Sequence, residues 1–112
     1  MSNAMSKSIE KRSDYDQAIG SMQQHDIDLS KFLVTGETIT SATATHTPRN
    51  SDGDEDGTPG TPIVGSISGG IIPIMVDIPS DNSIGLHILT VKPVLANPTE
   101  LPTFRILINV PF

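Results

Sequence analysis

The spacing of apolar residues changes once along the chain. From Ser6 to Gln24 the sequence is polar and mixed in charge, with Ile9, Tyr15, Ala18, Ile19 and Met22 as its apolar points. Tyr15, Ile19 and Met22 fall at i, i+4 and i+7, the spacing of one helix face. Residues 1–24 therefore read as a polar N-terminal arm, flexible or holding a short amphipathic helix. Ser2-Asn3-Ala4 ahead of Met5 has the character of a tag remnant, with the natural start at Met5. From His25 the period shortens. Ile27 and Leu29 alternate with Asp26, Asp28 and Ser30, as in a strand with one buried face.

Residues 31–36 interrupt this alternation with Phe32, Leu33 and Val34 in succession, a turn that drops an aromatic ring into the core. Residues 37–47 are dense in threonine around Ile39, Ala42 and Ala44. Such β-branched density favours a strand, and the small alanines require its inner face to be closely packed. Residues 48–62 hold no aliphatic or aromatic side chain and read as an exposed loop of about fifteen residues, a length that is uncommon without a mobile or functional role. Residues 63–68 follow as a strand, Gly69-Gly70 as a tight hairpin turn, and residues 71–78 as a second strand. Pro73 has no N–H to give to a ladder, so that strand is expected to begin at an edge or a bulge. Turns over residues 79–83 and 96–102 frame a strand over 86–95 with apolar residues on both faces. The last strand, 103–110, sets Phe104, Ile106, Ile108 and Val110 on one side and Arg105, Leu107 and Asn109 on the other.

Six or seven short strands at intervals of about ten residues, separated by turn chemistry, predict an all-β sandwich over residues 25–112. A small closed barrel is the alternative with the same pattern. Phe32 and Phe104 are the only aromatics of the region that these strands span, and both are expected to anchor its core.

Composition narrows the functions open to such a domain. A chain of 112 residues, 36% hydrophobic and 4% aromatic, has room for one small core and excludes a multi-domain enzyme. Having no cysteine, it can form neither a disulfide framework nor a thiolate site. The net charge is −6, and Asp52, Asp54, Glu55 and Asp56 supply four of the 13 acidic residues, so the acidity belongs mainly to the 48–62 loop. An acidic chain without clustered Lys and Arg is not expected to bind nucleic acid. The longest apolar run, residues 71–76, is far shorter than the roughly 18 residues that cross a membrane, and no secretory signal is expected from the polar start.

Candidate chemistry is sparse. Asp52-Gly53-Asp54-Glu55-Asp56-Gly57 has the alternating carboxylates and turn glycine of a calcium loop, making Asp52, Asp54 and Asp56 the candidate metal ligands. The loop lacks the later ligands, because the ninth and twelfth positions from Asp52 are Gly60 and Ile63. His25, His46 and His87 fall on or beside strands with no spacing that makes them converge. No G-x-S-x-G elbow accompanies the many serines, and the glycines of 65–70 lack the lysine and following helix of a phosphate loop. No catalytic group or cofactor site is expected, and the protein is read as a non-enzyme.

The segment Ile27-Asp28-Leu29-Ser30-Lys31-Phe32-Leu33, with Gly36-Glu37-Thr38-Ile39 and the Thr/Ala-rich strand to Thr47-Pro48, resembles the opening of small immunoglobulin-like structural proteins of tailed bacteriophages and prophages, of the fiber-tail adaptor type. The order of the later hairpins, through Ile67-Ser68-Gly69-Gly70, the turn with Gly85 and the strand from Phe104 to Val110, is similar as well. The resemblance covers about residues 25–111 outside the acidic loop. Two aromatic positions of that opening are Leu29 and Phe32 here, and a tyrosine ahead of the penultimate strand is His87.

The resemblance implies an immunoglobulin-like β-sandwich of antiparallel strands in a virion, tail-associated and assembled in the bacterial host cytoplasm. Its partners would be other virion or tail proteins, or a second copy of itself, with the arm as a docking segment. The rival expectation, carried by the acidic loop, is a calcium-dependent binding or adhesion module of a bacterial surface.

Overall fold

The computed structural model describes residues 8–11 by their backbone, and residues 16–96 and 103–111 in full. Tyr15, the tag-like start and most of the 96–102 turn lie outside these. The described chain forms seven strands: β1 (Ser8–Lys11), β2 (Met22–Asp28), β3 (Ile39–Thr47), β4 (Ile63–Val64), β5 (Ile71–Asp77), β6 (Gly85–Leu95) and β7 (Thr103–Val110). They make two sheets, one in the order β1-β7-β6-β3 and one in the order β2-β5-β4. All pairings are antiparallel except β1 with β7, which is parallel. The all-β sandwich expected from the alternation is the fold. No described helix is long and apolar enough to cross a membrane.

Alternation dictates how the sheets face each other. Phe104, Ile106, Ile108 and Val110 of β7, with Leu89, Val91 and Leu95 of β6, meet Ile27 of β2 and Ile72, Ile74 and Val76 of β5 in one apolar core. Ala42 and Ala44 of β3 pack against it, and their small side chains leave this edge of the core thin. β6 is apolar on both faces: Ile88, in register with Leu107 of β7, is buried with it on the side away from this cluster.

Gly69-Gly70 turns the chain as its composition requires. Ser68 and Ile71 exchange both backbone hydrogen bonds across it, and the two glycines have φ of 59° and 81°, a left-handed pair that residues with a Cβ adopt only with strain.

Three expectations are corrected and one, on Pro73, is made specific. The arm holds a strand at Ser8–Lys11, and residues 16–24 form no helix: Gly20 donates to the Ile78 carbonyl and Ile78 back to Ser21, extending the β2–β5 ladder. Backbone pairing to β5 outweighs the helical spacing of Ile19 and Met22. The strand expected over 63–68 is regular only at Ile63–Val64. β5 is the central strand of its sheet, but its first residues, Ile71 to Pro73, are in register with β2 alone because β4 reaches only Met75 and Ile74, so the strand begins at an edge as Pro73 requires. Pro73 is accommodated because its missing N–H falls on the side where β4 has already ended, with Gly65 N–H donating to the Pro73 carbonyl at 2.8 Å. Phe32 is no core anchor. It sits on a 3-10 turn (Ser30–Phe32), 38% exposed, with its ring edge-on to buried Phe104 at 4.9 Å and 65°.

Candidate functional site

The functional candidates gather at the end of the sandwich where β3 runs into the acidic loop and the 79–85 turn enters β6. His46 closes the inward alternation of Ala42 and Ala44 on β3. His87 opens that of Leu89 and Val91 on β6. Register pairs His46 with Leu89, so His87 is its diagonal neighbour on the same face. Both histidines are buried, at 2% and 0% exposure. Their rings stack with centroids 5.1 Å apart and planes at 22°.

The hydrogen bonds around this pair run in one direction. Gly60 N–H donates to His46 Nδ1 at 2.8 Å, His46 Nε2 lies 2.9 Å from His87 Nδ1, and His87 Nε2 lies 2.8 Å from the Ser83 carbonyl. An amide N–H can only donate and a carbonyl can only accept, so each imidazole carries its proton on Nε2 and both are neutral. All four ring nitrogens are thereby engaged by protein groups. Burial holds the His46 pKa down to about 4, with further lowering from His87 and an opposing pull from Asp77. Burial also lowers that of His87, against the Ser83 carbonyl, which raises it.

The acidic loop is exposed but tied down. Asn50 Oδ1 accepts the amides of Asp52 and Asp54 at 2.9 and 3.1 Å, and Arg49 Nη1 donates to the Gly53 carbonyl. Further along, Ser83 Oγ donates to Asp56 Oδ2 at 2.8 Å, Thr58 Oγ1 donates to Asp81 Oδ2 at 2.7 Å, and Asn82 Nδ2 donates to the Thr58 carbonyl. The Thr58 hydroxyl holds the Asp81 carboxyl below its ordinary range. Asp52, Asp54 and Asp56 are not brought together as ligands. Among the described residues no group of three or more His, Cys, Asp or Glu stands close enough to hold a metal ion.

A second polar knot fixes the start of the sandwich. Gln17, 2% exposed, donates its backbone N–H to Asn109 of β7 and its side-chain amide to Val76 of β5 at 2.7 Å. Its Oε1 accepts from His25 of β2 at 2.8 Å. One residue thus joins both sheets. Burial lowers the His25 pKa, with Asp26 opposing.

A hollow lined by Gly36, Glu37, Thr38, Leu95 and Ala96 holds about 80 Å³, well below the roughly 300 to 1,000 Å³ of a small-molecule site. More distinctive is the outer face of the three-stranded sheet. Register places Met75 between Gln24 and Ile63, Pro73 beside Asp26, and Ile71 beside Asp28. Ile63 is 59% and Ile71 39% exposed. The result is an apolar stripe along β5 and β4, flanked on the β2 side by carboxylates.

The histidine pair was missed in the sequence because its residues lie 41 positions apart. The usable signal was parity, since His46 and His87 each share the inward phase of their strands. No family model matches this chain, and no curated protein or solved structure is significantly similar to it.

Proposed function

We propose that this protein is a non-catalytic module that works by docking onto other proteins and, following the resemblance of residues 25–111, a structural component of a tailed-phage or prophage virion. The observation that carries the docking reading is the apolar stripe of Ile71, Pro73, Met75 and Ile63 on the outer face of the three-stranded sheet. A solvent-facing sheet side usually alternates to polar residues, and exposed apolar stripes with a polar rim mark contact surfaces. Full engagement of the ring nitrogens of His46 and His87 fits a structural use of the histidines best placed for chemistry.

The test is light scattering coupled to size-exclusion chromatography, with the chain alone and mixed with each virion protein encoded beside it. The expected result is a complex with one of these proteins, or a self-assembled form, that is lost in the Ile63→Lys/Ile71→Lys variant while the fold is kept. A chain that stays monomeric and joins none of them, or a complex indifferent to the two substitutions, would overturn the reading.

A further inference from the structure

We propose that Gly60, His46, His87 and Ser83 form an acid-sensitive latch that fastens the Gly60 end of the acidic loop, residues 48–62, to the body of the sandwich and releases that end when His46 takes up a proton. This inference stands on the hydrogen-bond geometry and does not depend on the docking reading.

The chain of donors has no place for an additional proton. His46 offers only Nδ1, and that nitrogen already accepts Gly60 N–H. A proton there sets two N–H groups against each other at 2.8 Å and replaces attraction by repulsion. Protonation of His87 at Nδ1 opposes His46 Nε2–H in the same way. The link that yields is the one to Gly60, because its neighbours from Ser51 to Pro59 and Thr61 are exposed, whereas His46 and His87 are held by strands; Asp56 and Thr58 keep their bonds to Ser83, Asp81 and Asn82. Gly60 itself lies against the body so closely that a Cβ there would strike the Asp77 carbonyl oxygen, so the loop has one seated position.

The charges around the pair set the direction and range of the response. On β5, Asp77 favours the His46 cation. In the loop and the adjoining turn, Asp56 and Asp81 are occupied by Ser83 and Thr58, Asp52, Asp54 and Glu55 are exposed, and Arg49 is bound to Gly53. β7 sets apolar Ile108 opposite His87. Burial outweighs the attraction of Asp77, leaving His46 neutral in the closed loop down to about pH 4. With the loop open and His46 in water, its pKa returns toward 6.5. Between these values opening takes up one proton, and the opening equilibrium rises by up to about tenfold for each unit of acidification.

Amide hydrogen exchange of the full chain, corrected for intrinsic rates and followed from neutral pH down to about pH 4, reads this out. The amide of Gly60 should lose protection below about pH 6, while core amides such as those of Leu89 and Ile106 lose no more than the fall in global stability accounts for. The His46→Gln variant should show no such step. Should that variant fail to fold, nitrogen shifts of the wild-type rings decide: both imidazoles must be Nε2–H tautomers at neutral pH. A Gly60 amide protected throughout, protection lost there only in step with the core, a step that persists in His46→Gln, or an Nδ1–H tautomer at either ring would each overturn the latch.

Discussion

Gln17 and His25 meet at 2.8 Å inside the sandwich, amide oxygen to Nε2, eight residues apart in sequence and on segments that lie against different sheets. The Gln17 backbone belongs to the edge of β7 and its side chain to β5 and β2. Gln17→Leu keeps the volume but leaves the His25 N–H without this acceptor and the Val76 carbonyl without this donor, in a place water does not reach. Losing the two contacts together should cost about 1 to 3 kcal/mol. The variant should lose stability in that range by urea denaturation, and a change under about 0.5 kcal/mol would mean the knot does not join the sheets.

The two phenylalanines should separate cleanly. Phe104 is fully buried in the core, and Phe104→Ala should cost about 3 to 5 kcal/mol, enough to unfold a domain of marginal stability. Phe32 is 38% exposed and touches Phe104 by its edge. Phe32→Ala should cost closer to the roughly 0.5 to 1.5 kcal/mol of an aromatic pair plus partial burial. Thermal melts of the two variants side by side measure the difference, and equal losses would contradict this ranking.

How much of this was legible follows from how local each feature is. The alternation of Phe104, Ile106, Ile108 and Val110 needs no knowledge of neighbours, and it marks β7 with its buried face. Gly69-Gly70 announces its turn by chemistry alone. The short helix over Tyr15, Ile19 and Met22 was a local reading that a non-local pairing overrode, since Gly20 and Ser21 pair with Ile78. Pro73 marks the open start of β5, but not that β5 lies at the centre of its sheet, because that depends on which segments flank it, and here the flanking β4 is two residues long. The candidate site was the least legible part. That His46 faces His87 depends on the β3–β6 register, and that Gly60 reaches them depends on the path of a loop without apolar residues.

Stability should fall with acid, and the sign follows from the histidines. His25, His46 and His87 all have folded-state pKa values lowered by burial. Below about pH 6.5 the unfolded chain binds protons that the folded chain does not, so the free energy of unfolding drops as pH falls. For His46 the loss continues down to about 4. Above about pH 7 the three are neutral in both states and contribute no slope. Urea midpoints at about pH 8, 7, 6 and 5 should stay level between the first two and then decline. A midpoint unchanged between about pH 7 and 5 would show that the three histidines take up protons in the fold as readily as in the unfolded chain.

Gly60→Ala tests how closely the acidic loop is seated. Its backbone does not need the left-handed region, so alanine meets no conformational strain there, only the Asp77 carbonyl and, at 3.3 Å, His46 Nδ1. Overpacking of this kind costs about 1 to 3 kcal/mol, and the loop must lift, which frees His46 Nδ1 from the amide that holds it. Gly53→Ala is the matched control. That residue has φ of 85° with open space around it, so its cost is left-handed strain of about 1 to 2 kcal/mol at the exposed tip of the loop. Thermal stability alone does not distinguish the two variants, but the His46 ring does. Gly60→Ala should move its nitrogen resonances and raise its pKa toward 6.5, the ordinary value for histidine, while Gly53→Ala should leave both where they are; a His46 ring indifferent to Gly60→Ala would show that the loop is not held through this contact.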